Sequence, residues 1–421
     1  MLVSTALRRL QAIQSGAGSE LSFVGLLSLA QLISWGALYY TFAVVSVPIE
    51  RDLGWDKATV NGAWSTGLLI TGLAAFPVGM LLDRLGGRII MTGGTLVGAG
   101  CLLLWSSMER LSMLYVVCIG LGIAMSGSLY EAGFTVLTRR FPMSYRDQIS
   151  RMTLVGGLAP TVFVPISAWF VAWQGWRATL LMLAIFLLAV CLPVHALGLR
   201  EQSKDLEGKT QSHGAATSTA ALKRALLHPS FWALLVTFSI HSTIASVVVF
   251  HIMPLLQERG FSELTITFAY SLIGPAQVGS RIALLATGRY FSMETIGIVT
   301  VSALPVSLLL LLVIPQIAIA PALVLVLYGT ANGLITILRG TAIPDLIGSE
   351  GYGSINGTIT LVARMGAAAA PIAVAIGWDK FGGYEPIVWI LFVLALIGAA
   401  SYGVAIYAAN GMKAEAQSRQ R

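Results

Sequence analysis

The chain has 421 residues, 56% of them hydrophobic and only 11% charged, and its mean hydropathy is +0.80. A soluble domain carries about 25% charged residues, so a water-soluble enzyme or binding module is excluded and lipid must solvate most of the apolar surface. The net charge of +7 invites a nucleic-acid reading, which the placement of the basic residues removes.

Residues 1–20 are mostly polar, include Arg8 and Arg9, and lack the apolar core and cleavage site of a secretory signal; they are expected to form a cytoplasmic tail. The stretches 21–49, 58–82, 89–108, 111–130, 152–176 and 178–199 contain no charge. Each is long enough to cross about 30 Å of hydrocarbon, which takes a helix of about 20 residues. Residues 200–228 mix charge with Ser, Thr, Gly and Ala and read as a cytoplasmic linker. Beyond it, 230–257, 264–288 and 354–377 are weaker spans that hold ionisable residues or many glycines. The charge-free stretch 295–338 is divided in two by Pro315 and Pro321, and 386–412 completes the series. The expectation is an all-α membrane protein with twelve transmembrane helices in two six-helix pseudo-repeats, 21–199 and 229–409, followed by a cytoplasmic tail over 410–421. Cys101, Cys118 and Cys191 all fall inside spans and read as packing residues rather than metal ligands. There is no phosphate loop, no Ser/His/Asp set and no Cys/His cluster, so neither an enzyme nor a cofactor is expected.

With the N-terminus inside, the inner loops and tails hold 18 Lys/Arg, Arg339 among them, and the outer loops six, while Arg281 and Arg364 lie within spans. This asymmetry follows the positive-inside rule with both termini cytoplasmic. The basic excess orients the chain in its bilayer; no nucleic-acid partner is implied. The halves also echo each other: Trp64, Ser65, Arg84, Pro165 and Gly175 correspond to Tyr270, Ser271, Arg289, Pro371 and Gly382 at offsets of 206, 206, 205, 206 and 207. Two repeated halves that rock about a central site are the physical logic of alternating access.

Between spans 2 and 3 lie Gly79, Asp83, Arg84, Gly86, Gly87 and Arg88. Gly79 permits close helix approach, Asp83 can pair with cations or helix ends, Gly86 and Gly87 allow a reversal, and Arg84 and Arg88 stay in water. The run resembles the G-x-x-x-D-R-x-G-R signature of the major facilitator superfamily, with one extra glycine before the last arginine. The resemblance implies a twelve-helix transporter with a latch that closes its inner side. The counterpart at Gly288-Arg289 lacks the acid. The stretch from Val45 to Gly94, Gly175-Trp176-Arg177, and Pro254 to Gly260 are similar to the monocarboxylate porters of that superfamily, although the porters' acid-and-glycine motif at span 1 is absent. Drug–proton antiporters carry G-x-x-x-G-P-x-x-G-G in span 5; here Phe163 and Val164 replace the last glycine pair.

Charged groups inside a bilayer are costly and call for partners or a function. Arg281 and Arg364 resemble the basic residues on helices 8 and 11 of the oxalate–formate exchanger, which implies that they bind substrate carboxylates; pairing with helix-end carbonyls is the alternative. Glu131 is a proton-coupling candidate or, more simply, the partner of Arg139 or Arg140. His241 is a candidate for proton relay or anion binding, whereas His251 reads as a hydrogen-bonded bundle residue. Gln31, Trp35 and Tyr39 lie at i, i+4, i+8 on span 1, and Tyr328, Asn332 and Thr336 do so on span 10; each stripe is expected to face a cavity. These features together point to a monomeric bacterial inner-membrane transporter of small organic anions, working by anion exchange or proton symport. Drug or metabolite efflux and a transporter-like sensor are the alternatives.

Overall fold

The computed structural model describes residues 22–199, 215–313 and 315–419, and among these there is no strand. The expected N-terminal tail, residues 200–214 of the linker and the last two residues lie outside the described residues. Helix α1 spans Ser22–Leu53 and contains a π-helical turn over Gly36–Tyr40. The helical stretch Lys57–Ser106 is broken at Gly86, giving α2 (57–85) and α3 (87–106). Helix α4 follows as Leu111–Arg140, interrupted at Leu129. Tyr145–Gly198 is broken at Gly175, giving α5 (145–174) and α6 (176–198). Helix α7 is Ala215–Leu226 and α8 Pro229–Glu258; α9 (263–287) is interrupted at Leu272. Met293–Leu312, Ala320–Leu346, Tyr352–Phe381 and Glu385–Arg419 form α10 to α13.

Nine helical stretches among the described residues are long and apolar enough to cross a membrane. Two of them, of 48 and 54 residues, are too long for one crossing, and each folds back on a glycine. The reversal at Gly86 is visible in the packing. Gly67 lies against Cys118, and Arg139 donates to the Leu82 carbonyl at 2.9 Å, so α2 runs parallel to α4. Gly94 lies against Ala124 and Gly127, and Cys101 against Gly120, so α3 runs antiparallel to it. At Gly175, α5 runs beside α1 from Phe163–Gly36 towards Trp176–Asp52, and α6 returns to place Cys191 beside Ser34. With α9, which falls outside the apolar criterion, these reversals give twelve candidate crossings. The linker is not wholly irregular: α7 is an Ala-rich helix whose Ala221 and Ala225 are buried.

The pseudo-repeat is clearer in caps and turns than in residue identity. Gly54 and Gly260, 206 positions apart, both adopt positive φ, 67° and 83°, just after the first helix of their half. At the same offset, Asp56 caps α2 by accepting from the Thr59 amide at 2.9 Å, and Ser262 caps α9 by accepting from the Thr265 amide at 3.3 Å. Asp52 and Glu258, again 206 apart, each accept an indole N–H, from Trp176 at 3.1 Å and Trp378 at 2.7 Å. These clasps brace the first helix of each half to its last hairpin.

Apolar packing separates the two ends of the molecule. One buried cluster contains residues of both halves, including Leu82, Phe134, Ile149, Phe231, Ile343 and Tyr352, at the end where α7 lies. Towards the opposite end there are two clusters, one drawn only from residues 30–191 and one only from 244–395. The halves are therefore fused at the linker end and packed separately at the other. Large apolar side chains such as Val116, Ile185, Val299 and Ile372 are mostly exposed, as expected for a lipid-facing perimeter.

Gly86 (φ 78°, ψ 164°) and Gly175 (φ 81°, ψ 170°) occupy a backbone region that is essentially closed to other residues. Gly86→Ala and Gly175→Ala are each expected to lower stability by about 1–3 kcal/mol. A lower midpoint of thermal unfolding in detergent checks this, with Gly100→Ala, which meets open space in a helix, as the neutral control.

Candidate functional site

Asp83, at the linker end of α2, is 8% exposed and sits against the first turn of α12. Its carboxylate accepts from the Gly353 amide at 3.0 Å, the Ser354 amide at 2.7 Å, the Ser354 hydroxyl at 2.7 Å and Arg139 Nη2 at 3.0 Å. The first N–H groups of a helix have no intrahelical acceptor and carry partial positive charge, so a buried carboxylate from the other half both caps and neutralises them. Gly79, one turn earlier, is indispensable to this approach: a Cβ there would lie 2.1 Å from the Gly353 carbonyl oxygen. Gly357 lies as close to the Ala75 carbonyl, at 2.4 Å for the equivalent atom. Arg84 is exposed, and Arg88 donates to the Ala196 carbonyl at 2.7 Å, tying α3 to α6.

Other polar contacts close the same end. Arg146 donates to Asp345 at 2.7 Å and Tyr145 donates to the same carboxylate oxygen; Arg224 on α7 reaches Glu350 at 2.8 Å. Arg281 is 4% exposed and donates to the carbonyls of Thr153 on α5 (3.0 Å) and Gly333 on α11 (3.2 Å). Gly157 supplies the space for its guanidinium. Arg281 thus has the carbonyl partners weighed as its alternative role, and it bridges the two halves.

Two expectations need correction. Glu131 does not bridge to Arg139 or Arg140; Arg139 serves Asp83, and Arg140 stacks over the Phe23 ring at 3.9 Å. Eight residues of helix separate Glu131 from Arg139 by about 12 Å, whereas the Asp83 carboxylate is adjacent. The partner of Glu131 is Arg339, at 4.0 Å, and Arg339 does not belong to a loop: it lies inside α11 with its side chain 17% exposed. The break in α4 at Leu129 places Glu131 in the first turn of the segment Tyr130–Arg140, aimed across to the other half.

Arg339 also donates to Thr360 Oγ1 on α12 at 2.6 Å. Asn356, Thr360 and Arg364 follow at i, i+4, i+8 on α12 and so share a face. Arg364 is half-buried, its Nε has no acceptor, and it makes no ion pair among the described residues. Gly72 of α2 gives it room, since a Cβ there would lie 2.6 Å from the Arg364 Cβ. Nearby, the buried Asn356 Oδ1 also lacks a partner among the described residues. Glu131, Ser126, Thr135 and Asn356 line one small crevice between the halves.

The remaining candidates fall into two groups. His241 on α8 and Asn332 on α11 meet at 3.2 Å. In the N-terminal half, Trp35 packs with Tyr39 (5.2 Å between ring centres), Tyr40 (6.2 Å) and Tyr130 (4.9 Å). The π-helical turn at Gly36–Tyr40 shapes this cluster; Gly36 admits Phe163, which would lie 2.2 Å from a Cβ. His251 bonds Tyr384 and the Pro371 carbonyl, at 3.0 and 3.1 Å. Sequence reasoning does not single out Asn356, Thr360, Tyr40 or Tyr130; for Asn356 and Thr360 the i, i+4, i+8 spacing with Arg364 on α12 is the available signal.

Asp83→Asn keeps the side-chain shape but removes the charge that neutralises the α12 N-terminus. It is expected to reduce transport rate with little change in substrate affinity, because it acts on the conformational equilibrium. Maleimide labelling of Val78→Cys, at the closed interface, is expected to rise in the Asp83→Asn background; unchanged labelling and transport would show that the carboxylate has no closing role.

Comparison with known proteins agrees with this architecture. The Major Facilitator Superfamily family model matches residues 27–371. The chain is 26% identical over 334 residues to monocarboxylate transporter 13 of Rattus norvegicus, covering 77% of this chain and 75% of that protein. The crystal structure of the E. coli fucose:proton symporter superimposes with a TM-score of 0.65 at 15% identity, covering 93% of this chain and 98% of that one. With a multi-pass helical architecture and a family match over most of its length, this is a transporter and not an enzyme: the chain belongs to the major facilitator superfamily.

Proposed function

We propose that this transporter moves small organic anions, mono- or dicarboxylate-like, by alternating access between the two halves. The observation that carries the proposal is Arg364, an intramembrane guanidinium without an ion pair among the described residues, close to a second arginine, Arg339, whose one acidic partner among them is Glu131. The interior of the C-terminal half thus has an excess of positive charge, which a carboxylate ligand offsets with bidentate hydrogen bonds. The similarity to a protein described as a monocarboxylate transporter supports the same class. The tyrosines and Trp35 of the N-terminal half suit the apolar body of such an anion. Glu131 and His241 are the candidates for coupling to protons; without coupling the cycle runs as anion exchange. In this reading the fused end is cytoplasmic, both termini lie on that side, the membrane is a bacterial inner membrane, and the working unit is a monomer.

A panel of formate, lactate, oxalate and succinate on reconstituted vesicles, with and without a pH gradient, tests the substrate class. Arg364→Gln is expected to weaken binding of the transported anion by about ten- to more than a hundred-fold, the loss of one charge-assisted hydrogen bond, while Arg364→Lys retains part of the activity. A well-folded Gln variant with unchanged affinity would move an uncharged substrate, and with it metabolite efflux, to first place.

Sidedness has its own check. Leu227, 86% exposed between α7 and α8, is expected as Leu227→Cys to resist a membrane-impermeant maleimide in intact cells and to react after permeabilisation.

A further inference from the structure

Glu131 is the only carboxylate within ion-pair distance of Arg339 among the described residues, and the two side chains come from opposite halves. The contact is long, 4.0 Å, with both groups mostly buried at 24% and 17% exposure. The stronger bond of Arg339, to Thr360 at 2.6 Å, holds its guanidinium against the α12 face that also carries Arg364. When the halves part at the linker end, Arg339, Thr360 and Arg364 travel together and Glu131 stays behind.

We propose that Glu131 is the resident anion of the transport site: it occupies, in the empty protein, the place on Arg339 that the substrate carboxylate takes when bound. The inference rests on the anion reading above and adds how the empty transporter returns. Passing between the two open states requires a moment when water is excluded, and an uncompensated charge is then costly. Substrate neutralises the arginines in the loaded protein. Glu131 neutralises Arg339 in the empty one, leaving a single excess charge on Arg364. Without Glu131, two guanidinium groups would have to be occluded bare, so only the loaded protein would cross. The long, weak geometry of the pair suits an occupant that has to be displaced each cycle.

The test separates net movement from exchange in proteoliposomes, using the carboxylate of the panel that the wild type transports fastest. In Glu131→Gln, net uptake into empty vesicles is expected to fall relative to exchange against internal substrate by about ten-fold or more. Retained exchange demonstrates a folded protein. Glu131→Asp, which keeps the negative charge, is expected to hold the ratio close to wild type. Net uptake and exchange falling together in Glu131→Gln, an unchanged ratio, or an Asp variant that behaves like the Gln variant would each overturn the proposal. If the wild type moves no carboxylate at all, the anion reading itself fails, a result distinct from any of these.

Discussion

The N-terminus of α12 ends within the contact between the two halves, and its first amides need acceptors that neither water nor their own helix supplies. Asp83 supplies them from the other half. A carboxylate with four donors satisfies the helix and is itself satisfied, so neither group remains buried and unpaired. The geometry around it depends on that meeting. Gly79 and Gly353 lack side chains because the backbones must touch, and Arg139 is directed to Asp83, which leaves Glu131 to find its partner in the opposite half.

Charge pairing across the halves recurs through the interior. Arg281 rests on a carbonyl of α5, Arg339 on the carboxylate of α4, and Arg364 passes beside Gly72 without a counter-charge among the described residues. Inside a bilayer such groups are costly whenever they are left without a partner or water, so each ties an electrostatic cost to the relative position of the halves. The apolar clusters describe the same division: one is shared, at the locked end, and two are private. The acid–tryptophan clasps at the private end brace helices within each half, which suits the proposed alternating access, in which halves and not single helices are the moving parts.

Much of this was legible in sequence because the bilayer imposes a simple rule on charge. Uncharged stretches located the spans, and the glycines after Asp83 marked a reversal that the backbone at Gly86 carries out. The same rule misplaced Arg339: a span ended at its first charged residue reads a cross-half arginine as a loop residue. Glu131 was assigned a partner by nearness along its own helix, and no local pattern reveals a partner 208 residues away. The repeat was visible at five positions, yet its firmest evidence, Gly54 with Gly260 and Asp56 with Ser262, lies in shared backbone roles and capping chemistry. Comparing residue identities does not detect an aspartate and a serine doing the same work.

The meeting of α2 and α12 is made largely of backbone. Gly79 faces Gly353, and Gly357 faces the Ala75 carbonyl, so little interdigitates across that seam. Side chains that interlock have to change rotamer before they separate, which gives a packed surface internal friction. A bare backbone seam has almost none, and water entering the gap can take over the polar contacts one by one. Away from Asp83 the seam therefore offers little steric resistance to parting, and in the proposed alternating access bulk added there would act as a brake on the cycle even where it did not weaken the closed state.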